Sequence, residues 1–250
     1  MINYHLLPQF RPARLQDLVL WYEPWSFRER TWHNLAPCFS DRNHGTAYGG
    51  IGLSTWHPQF APAPTFYGSG QYIKVPSFTT VDGLNTVTLE FWLAYFVDGE
   101  EDTYIDAISG GISKFIVDDS VGDDGLRVNW YDGEAAIVVD YPTSLGKGIL
   151  HHCSAVLDKT VSYLYINAVK VKSASNPSFT AIPHSDEALY IAGVYRSRYT
   201  IGKIPLVRIY RSALSQTEVM HNYTHHPLYF LQRGIDPYMF VKKGGIYYVM

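Results

Sequence analysis

Four groups of residues carry side chains able to do chemistry. Glu90 is a carboxylate inside the apolar and aromatic run 86–96, TVTLEFWLAYF, where a buried carboxylic acid is a candidate general acid. Histidines occur as the adjacent pair His151–His152 and as the set His221, His225 and His226. Residues 118–125, DDSVGDDG, concentrate Asp118, Asp119, Asp123 and Asp124, hard oxygen donors of the kind Ca²⁺ takes. Residues 193–200, GVYRSRYT, bring Tyr195, Arg196, Arg198 and Tyr199 together, and Tyr and Arg are enriched at binding hot spots.

The elements that position these groups narrow the readings. Successive side chains of a strand point to opposite faces. Glu90 therefore points to the outer face, alternating with Leu89 and Phe91, and His151 and His152 cannot chelate one ion. The near-continuous apolar character of 86–96 implies burial on both faces or a place at a sheet centre. His221 and His225 are four apart and share a helix face, but no carboxylate stands at H-E-x-x-H spacing, so they read as surface histidines. The aspartate spacing departs from the EF-hand pattern; 118–125 reads as a solvated hairpin loop, with Ca²⁺ as the alternative. The Tyr/Arg loop lies between strands and is the expected contact with a partner or glycan. No catalytic residue, metal ligand or cofactor is assigned.

The stretch 201–223, IGKIPLVRIYRSALSQTEVMHNY, organises the chain. It opens as a strand, turns at RSALS, and then places Ser215 three residues before Glu218, the capping box that starts a short helix ending near residue 223. Residues 17–22, DLVLWY, are the first strand. Residues 126–131 and 134–140 flank Asp132–Gly133 and predict a hairpin with a type I′ turn. Trp25, Trp32 and Trp56 fall in the loop-rich 23–64; they plug the end of the fold or stack on sugars.

Composition bounds the partners. With 17% charged residues and a net charge of −3, no basic excess addresses nucleic acid. No stretch approaches the roughly 20 apolar residues of a membrane span, so no membrane insertion is expected. Twenty Tyr and six Trp favour pleated surfaces and interfaces. The two cysteines, Cys38 and Cys153, read as free thiols, with a single bridge as the alternative. Residues 1–16 lack the pattern of a signal peptide.

Five motifs in order resemble the concanavalin A-like lectin/glucanase (laminin-G-like) family. They are the LVLW strand; Phe66, Gly68, Tyr72, Ile73, Val75 and Pro76; the 86–96 strand; His151, His152, Asp158, Tyr165, Ile166, Asn167 and Val169; and the closing Gly202, Ile204, Val207–Tyr210, Ala213–Ser215 and Glu218. The resemblance implies an all-β, two-sheet antiparallel jelly-roll sandwich with one short C-terminal helix and a terminal hairpin. It implies that the LVLW strand pairs with the closing strand. Where the family has a turn glycine this chain has Ala168, so that turn is expected to differ locally. The glucanase branch carries E-x-D-x-x-E on one strand, a pattern missing here, and the expectation is a non-enzyme.

The domain division is an N-terminal arm, 1–17, the sandwich, 18–223, and a C-terminal extension with a β-hairpin, 224–250. Leu6, Leu7 and Phe10 in front, and Tyr238, Phe240, Ile246, Tyr247 and Val249 behind, are the expected assembly residues. On this reading the protein is a virion structural component, such as a capsid decoration, spike or tail protein. It is made in the host cytoplasm, released without a signal peptide, and partnered by other virion subunits or itself, and by a possible glycan. The alternative is a cellular glycan-binding or adhesion module at the cell surface.

Overall fold

The computed structural model describes residues 11–54, 63–68, 70–96, 102–109, 112–119, 125–193, 198–234, 240–243 and 246–249. In chain order the strands are β1 (Leu18–Tyr22), β2 (Phe27–Arg28), β3 (Thr31–Trp32), β4 (Gly45–Tyr48), β5 (Gly52–Ser54), β6 (Ala63–Tyr67), β7 (Tyr72–Val75) and β8 (Thr86–Tyr95). Then come β9 (Thr103–Ser109), β10 (Ile112–Asp118), β11 (Leu126–Tyr131), β12 (Ala136–Tyr141), β13 (His151–Asp158), β14 (Val161–Ile166), β15 (Val169–Ser175), β16 (Leu189–Ile191) and β17 (Ile201–Tyr210). Helices α1 (Gln216–Thr224) and α2 (Pro227–Gln232) follow, and β18 (Phe240–Lys243) and β19 (Ile246–Val249) end the described chain.

Two antiparallel sheets face each other. One runs β15-β14-β13-β8-β17-β6-β5, with β1 on β17; the other runs β12-β11-β10-β9-β16-β7-β4-β3-β2. The expected partnership of the first and closing strands is present, with Leu20 opposite Ile209 and Tyr22 opposite Val207. Strand alternation fills the space between the sheets: Val87, Leu89, Phe91 and Leu93 of β8 meet Ile73, Val75, Ile105, Phe115 and Trp130 of the second sheet. Trp32 is fully buried and stacks on Tyr22 at 4.8 Å, so it plugs the sandwich. Trp56 lies outside the described residues.

The other face of β8 is buried too. Trp92 and Ala94, with Leu206 and Tyr210 of β17, pack beneath Leu214, Val219, Tyr223 and Leu228. Helices α1 and α2 thus form a third layer over the eight-stranded sheet. The helix start follows the sequence: Ser215 Oγ accepts from the Glu218 backbone N–H at 3.3 Å, and Glu218 Oε2 accepts from the Ser215 N–H at 2.7 Å. Residues 11–17 fold back onto α1. Ala13 N–H donates to Asn222 Oδ1 at 2.7 Å, and Arg14 pairs with Glu218 at 2.5 Å. Helix α2 lies in the segment assigned to the C-terminal extension, yet Leu228 is fully buried and Gln232 donates to Leu150 O at 2.7 Å.

Two turns differ from expectation. The 131–136 connection is a four-residue loop rather than a two-residue type I′ turn: Tyr131 pairs with Ala136, and Gly133 has φ 100°. The cause is the Asp132 carboxylate, which accepts from the N–H groups of Glu134 and Ala135 at 3.0 and 2.6 Å, while the Asp132 N–H donates to Ala135 O at 3.1 Å. The Asn167–Ala168 turn, by contrast, keeps positive φ at both residues, 51° and 62°. The Ala168 methyl is fully buried against the helix layer, and that packing opposes its backbone strain. Both cysteines are free thiols.

Removing the cap tests how α1 is held. Ser215→Ala should lower stability by about 1 kcal/mol, and the melting temperature by roughly 2–4 °C. Thermal denaturation followed by circular dichroism reads this; an unchanged transition would mean that packing alone fixes the helix.

Candidate functional site

Glu90 stands on the outward face of β8 and is fully buried there. Arg208 of β17, directly opposite it in the ladder, donates from Nη1 to Glu90 Oε1 at 2.9 Å and from Nη2 to Glu23 Oε1 at 2.8 Å. Trp21 Nε1–H also donates to Glu23 Oε1, at 2.7 Å, and Asn222 Nδ2 donates to Glu90 Oε2 at 2.6 Å and to the Tyr210 hydroxyl at 2.9 Å. His152 Nε2 stands 3.2 Å from Glu90 Oε1, off the line of a hydrogen bond. Burial alone would raise the Glu90 carboxyl, but the Arg208 charge, then His152 and Asn222, bring it down to about 2. Burial acts the same way on Glu23, and His226 and Arg208 outweigh it, leaving that carboxyl below its ordinary value. Glu90 is thus a committed ion-pair partner under a helical lid, sealed from any substrate.

The open chemistry is on the other sheet. Ala47, Ile73, Val75, Leu189 and Ile191 face the core, so Thr46 and Tyr48 of β4, Tyr72 and Lys74 of β7, and Tyr190 of β16 face outward. Register sets Tyr48 opposite Tyr72, and Lys74 opposite both Thr46 and Tyr190. The Tyr48 and Tyr72 rings stack with centroids 5.0 Å apart, Tyr72 meets Tyr190 edge-on at 5.7 Å, and Lys74 Nζ lies 5.6 Å from the Tyr190 ring centre. Tyr48 is 39% exposed. Farther along the row, Asp106 of β9 and Ile116 of β10 are buried, so the open part ends at β16. Three rings and an ammonium form a contiguous, partly wet aromatic surface able to pack on an apolar face and hydrogen-bond its edge.

The residues singled out in the sequence are placed as follows. Tyr195 and Arg196 lie outside the described residues. Arg198 and Tyr199 are half-buried at the base of their loop, where Tyr199 bridges Gly193 and its ring would be 2.5 Å from a Cβ at that glycine. Asp118 gives both oxygens to Arg127, at 3.0 and 2.6 Å. Burial, then Asp118, pushes Asp119 up to about 7. Asp123 and Asp124 lie outside the described residues, among which no three His, Cys, Asp or Glu side chains are grouped to hold a metal. His151 and His152 point apart: His151 contacts Leu145 O, while His152 is sealed beneath the helices. His221 and His225 stack on the surface of α1 at 4.3 Å. A hollow of about 380 Å³ lined by Thr79, Asp82, His184, Ser185 and Asp186 is a weaker site, because Asp82 is already bound to the buried Lys114 and to Ser185 N–H. Leu6, Leu7, Phe10 and Tyr238 are outside the described residues; the backbones of Phe240, Ile246, Tyr247 and Val249 form the β18–β19 hairpin.

Residues 67–220 match the family profile of the concanavalin A-like lectin/glucanases superfamily, more than half of the chain. The chain belongs to that family. Among solved structures, the binding domain of Paraclostridial Mosquitocidal Protein 1 is 15% identical, with a TM-score of 0.67 over 86% of this chain and 53% of that one. The receptor-binding domain of a botulinum neurotoxin C/D mosaic is 14% identical, with a TM-score of 0.65 over 86% and 52%. The same figures hold for the serotype D binding domain solved with N-acetylneuraminic acid. These likenesses establish the lectin-like fold, and this chain spans about half the length of those domains. No curated protein matches the sequence.

Sequence reasoning missed Tyr48, Tyr72, Lys74 and Tyr190 as a group. The alternation in TAY, YIKV and LYI gives their outward phase, but only lateral register brings them together.

Arg208→Met should cost about 3–5 kcal/mol in urea denaturation at pH 7, because two carboxylates stay buried without their cation. The sign with pH is set. In the native protein both carboxyls sit below their ordinary value, so stability is lost as pH falls from about 4.3. In the variant, burial without a partner raises them, so stability is gained as pH falls from the raised values to about 4.3. The deficit should therefore shrink on acidification; a constant deficit from pH 7 to 4 would contradict the ion-pair account.

Proposed function

We propose that the chain is a non-enzymatic, lectin-like binding module that takes glycan on the open platform of the nine-stranded sheet. The observation that carries this is the Tyr48–Tyr72–Tyr190 row with Lys74 beside it. A sugar ring offers one flat C–H face to aromatic rings and a rim of hydroxyls to Lys74 and Thr46, the mix of apolar lining and few polar groups typical of small-ligand sites. Support comes from similar folds: a serotype D neurotoxin domain bound to N-acetylneuraminic acid, and a DC domain bound to rat synaptotagmin II. The 193–200 loop follows β16 in the chain, and Tyr195, Arg196, Arg198 and Tyr199 are proposed as further contact residues.

A glycan array with sialylated, galactosylated and glucan oligosaccharides, followed by calorimetry on each hit, tests this. Tyr72→Ala, and the pair Tyr195→Ala with Arg196→Ala, should each weaken binding by about 1–2 kcal/mol, with melting unchanged. No binding at millimolar glycan, or full affinity in these variants, would sink the proposal. The buried Glu90 supports the absence of glycosidase chemistry: purified protein should release no reducing sugar from laminarin, and turnover would refute it.

The second reading is subunit assembly, as a virion decoration, spike or tail component. It is favoured by β18–β19, which pair only with each other among the described residues. A lone hairpin is marginal in water, and its edges are templates for another chain. Deleting 235–250 should then abolish oligomers in light scattering while keeping the melting temperature, whereas deleting 225–250 should also melt early because α2 leaves. Early melting of the shorter deletion would place the hairpin in the fold instead.

A further inference from the structure

The junction between α1 and α2 is built on a histidine whose two ring nitrogens are both committed. His226 is 2% exposed and is the N-cap residue of α2. Its Nδ1 lies 3.2 Å from the Leu228 backbone nitrogen, whose N–H can only donate, so Nδ1 is the bare nitrogen. The ring hydrogen is therefore on Nε2, which donates to Glu23 Oε2 at 3.1 Å. Pro227 has no N–H, so Leu228 is the first residue of α2 that needs an acceptor. A second proton on this ring has one place to go, Nδ1, where it would face the Leu228 N–H.

We infer that His226 is an acid-released latch: protonation at Nδ1 removes the cap of α2 and frees this helix from the eight-stranded sheet. The groups around the ring come from every neighbouring element. Glu23 follows β1, Arg208 is on β17, Glu90 and Trp92 are on β8, and His225 is adjacent in the chain; His152 of β13 and Tyr223 of α1 pack on Trp92. Burial, the largest influence, keeps the proton off, and Arg208 adds to it; Glu23 and Glu90 oppose them, and the ring stays below its ordinary value. The folded state then binds fewer protons than the opened one. The latch is shut above the ordinary histidine value of about 6.5 and loosens as pH falls below it. Glu23 titrates below the ordinary carboxylate range, so it keeps its charge through this window.

What α2 carries explains what release would do. Leu228 leaves the buried cluster with Trp92 and Leu150, and Gln232 leaves Leu150 O, Asn167 Oδ1 at 3.1 Å and the Tyr223 hydroxyl at 2.8 Å. The β18–β19 hairpin is joined to the sandwich through α2, so opening the latch lengthens its tether.

The test uses the whole chain. Side-chain ¹⁵N NMR at pH 7.5 should show the Nε2–H tautomer for His226. Amide exchange protection factors of 228–234, followed from pH 8 to 5, should fall by up to about tenfold per pH unit below about 6.5, while those of β8 and β17 hold. His226→Asn keeps a side-chain acceptor for Leu228 and cannot titrate, so its α2 protection should be flat over the same range. An Nδ1–H tautomer, pH-independent protection in the native protein, or an unchanged pH dependence in His226→Asn would each overturn the latch. Should that variant fail to fold, the tautomer and the native protein's pH dependence still decide.

Discussion

Arg208 is a fully buried guanidinium, and the layers around it are arranged to make that tolerable. Taking such a charge from water costs several kcal/mol, and attraction repays it only with good geometry and satisfied neighbours. Here two carboxylates supply the countercharge; Trp21 shares Glu23 Oε1 with Arg208, and the remaining oxygens are used by Asn222 and His226. These partners come from β1, the loop after it, β8, α1 and the α1–α2 junction. One cation thus fixes which pieces of chain must lie over the sheet. With a hydrophobic residue at 208 the two sheets would still meet through Val207 and Ile209, but nothing would specify the helical lid.

The two outer faces of the sandwich are therefore different materials. One is closed, with ions and aromatic rings locked under helices. The other carries tyrosines whose rings touch each other and water. Chemistry that a sequence scan attaches to Glu90 and the histidines belongs mostly to the closed side, where side chains have partners and no access. The exposed aromatic row belongs to the open side, where no single residue is unusual and only the arrangement is.

Much of the fold was legible. The capping box at Ser215, the closing strand, its pairing with LVLW and the double burial of 86–96 all follow from local pattern. The lid was harder: residues 227–232, PLYFLQ, are too short to show a period, and their place is set by His226 reaching Glu23, about 200 positions away in sequence, and by Leu228 packing with Trp92 and Leu150. The Asp132 loop escaped because a side chain, rather than backbone φ preference, takes the free N–H groups. The tyrosine platform escaped because strands β4, β7 and β16 are adjacent in the sheet and far apart in the chain.

The docking of residues 11–17 on α1 brings the two ends of the folded unit together: His221 Nε2 contacts Arg11 O at 3.0 Å, beside the Ala13–Asn222 hydrogen bond. That contact is on the helical side, across the sandwich from the tyrosines. A unit whose ends meet tolerates circular permutation and splicing into a host loop. Inserted that way, this fold would stand on its lid like a stud, with its tyrosine face turned outward whatever carries it.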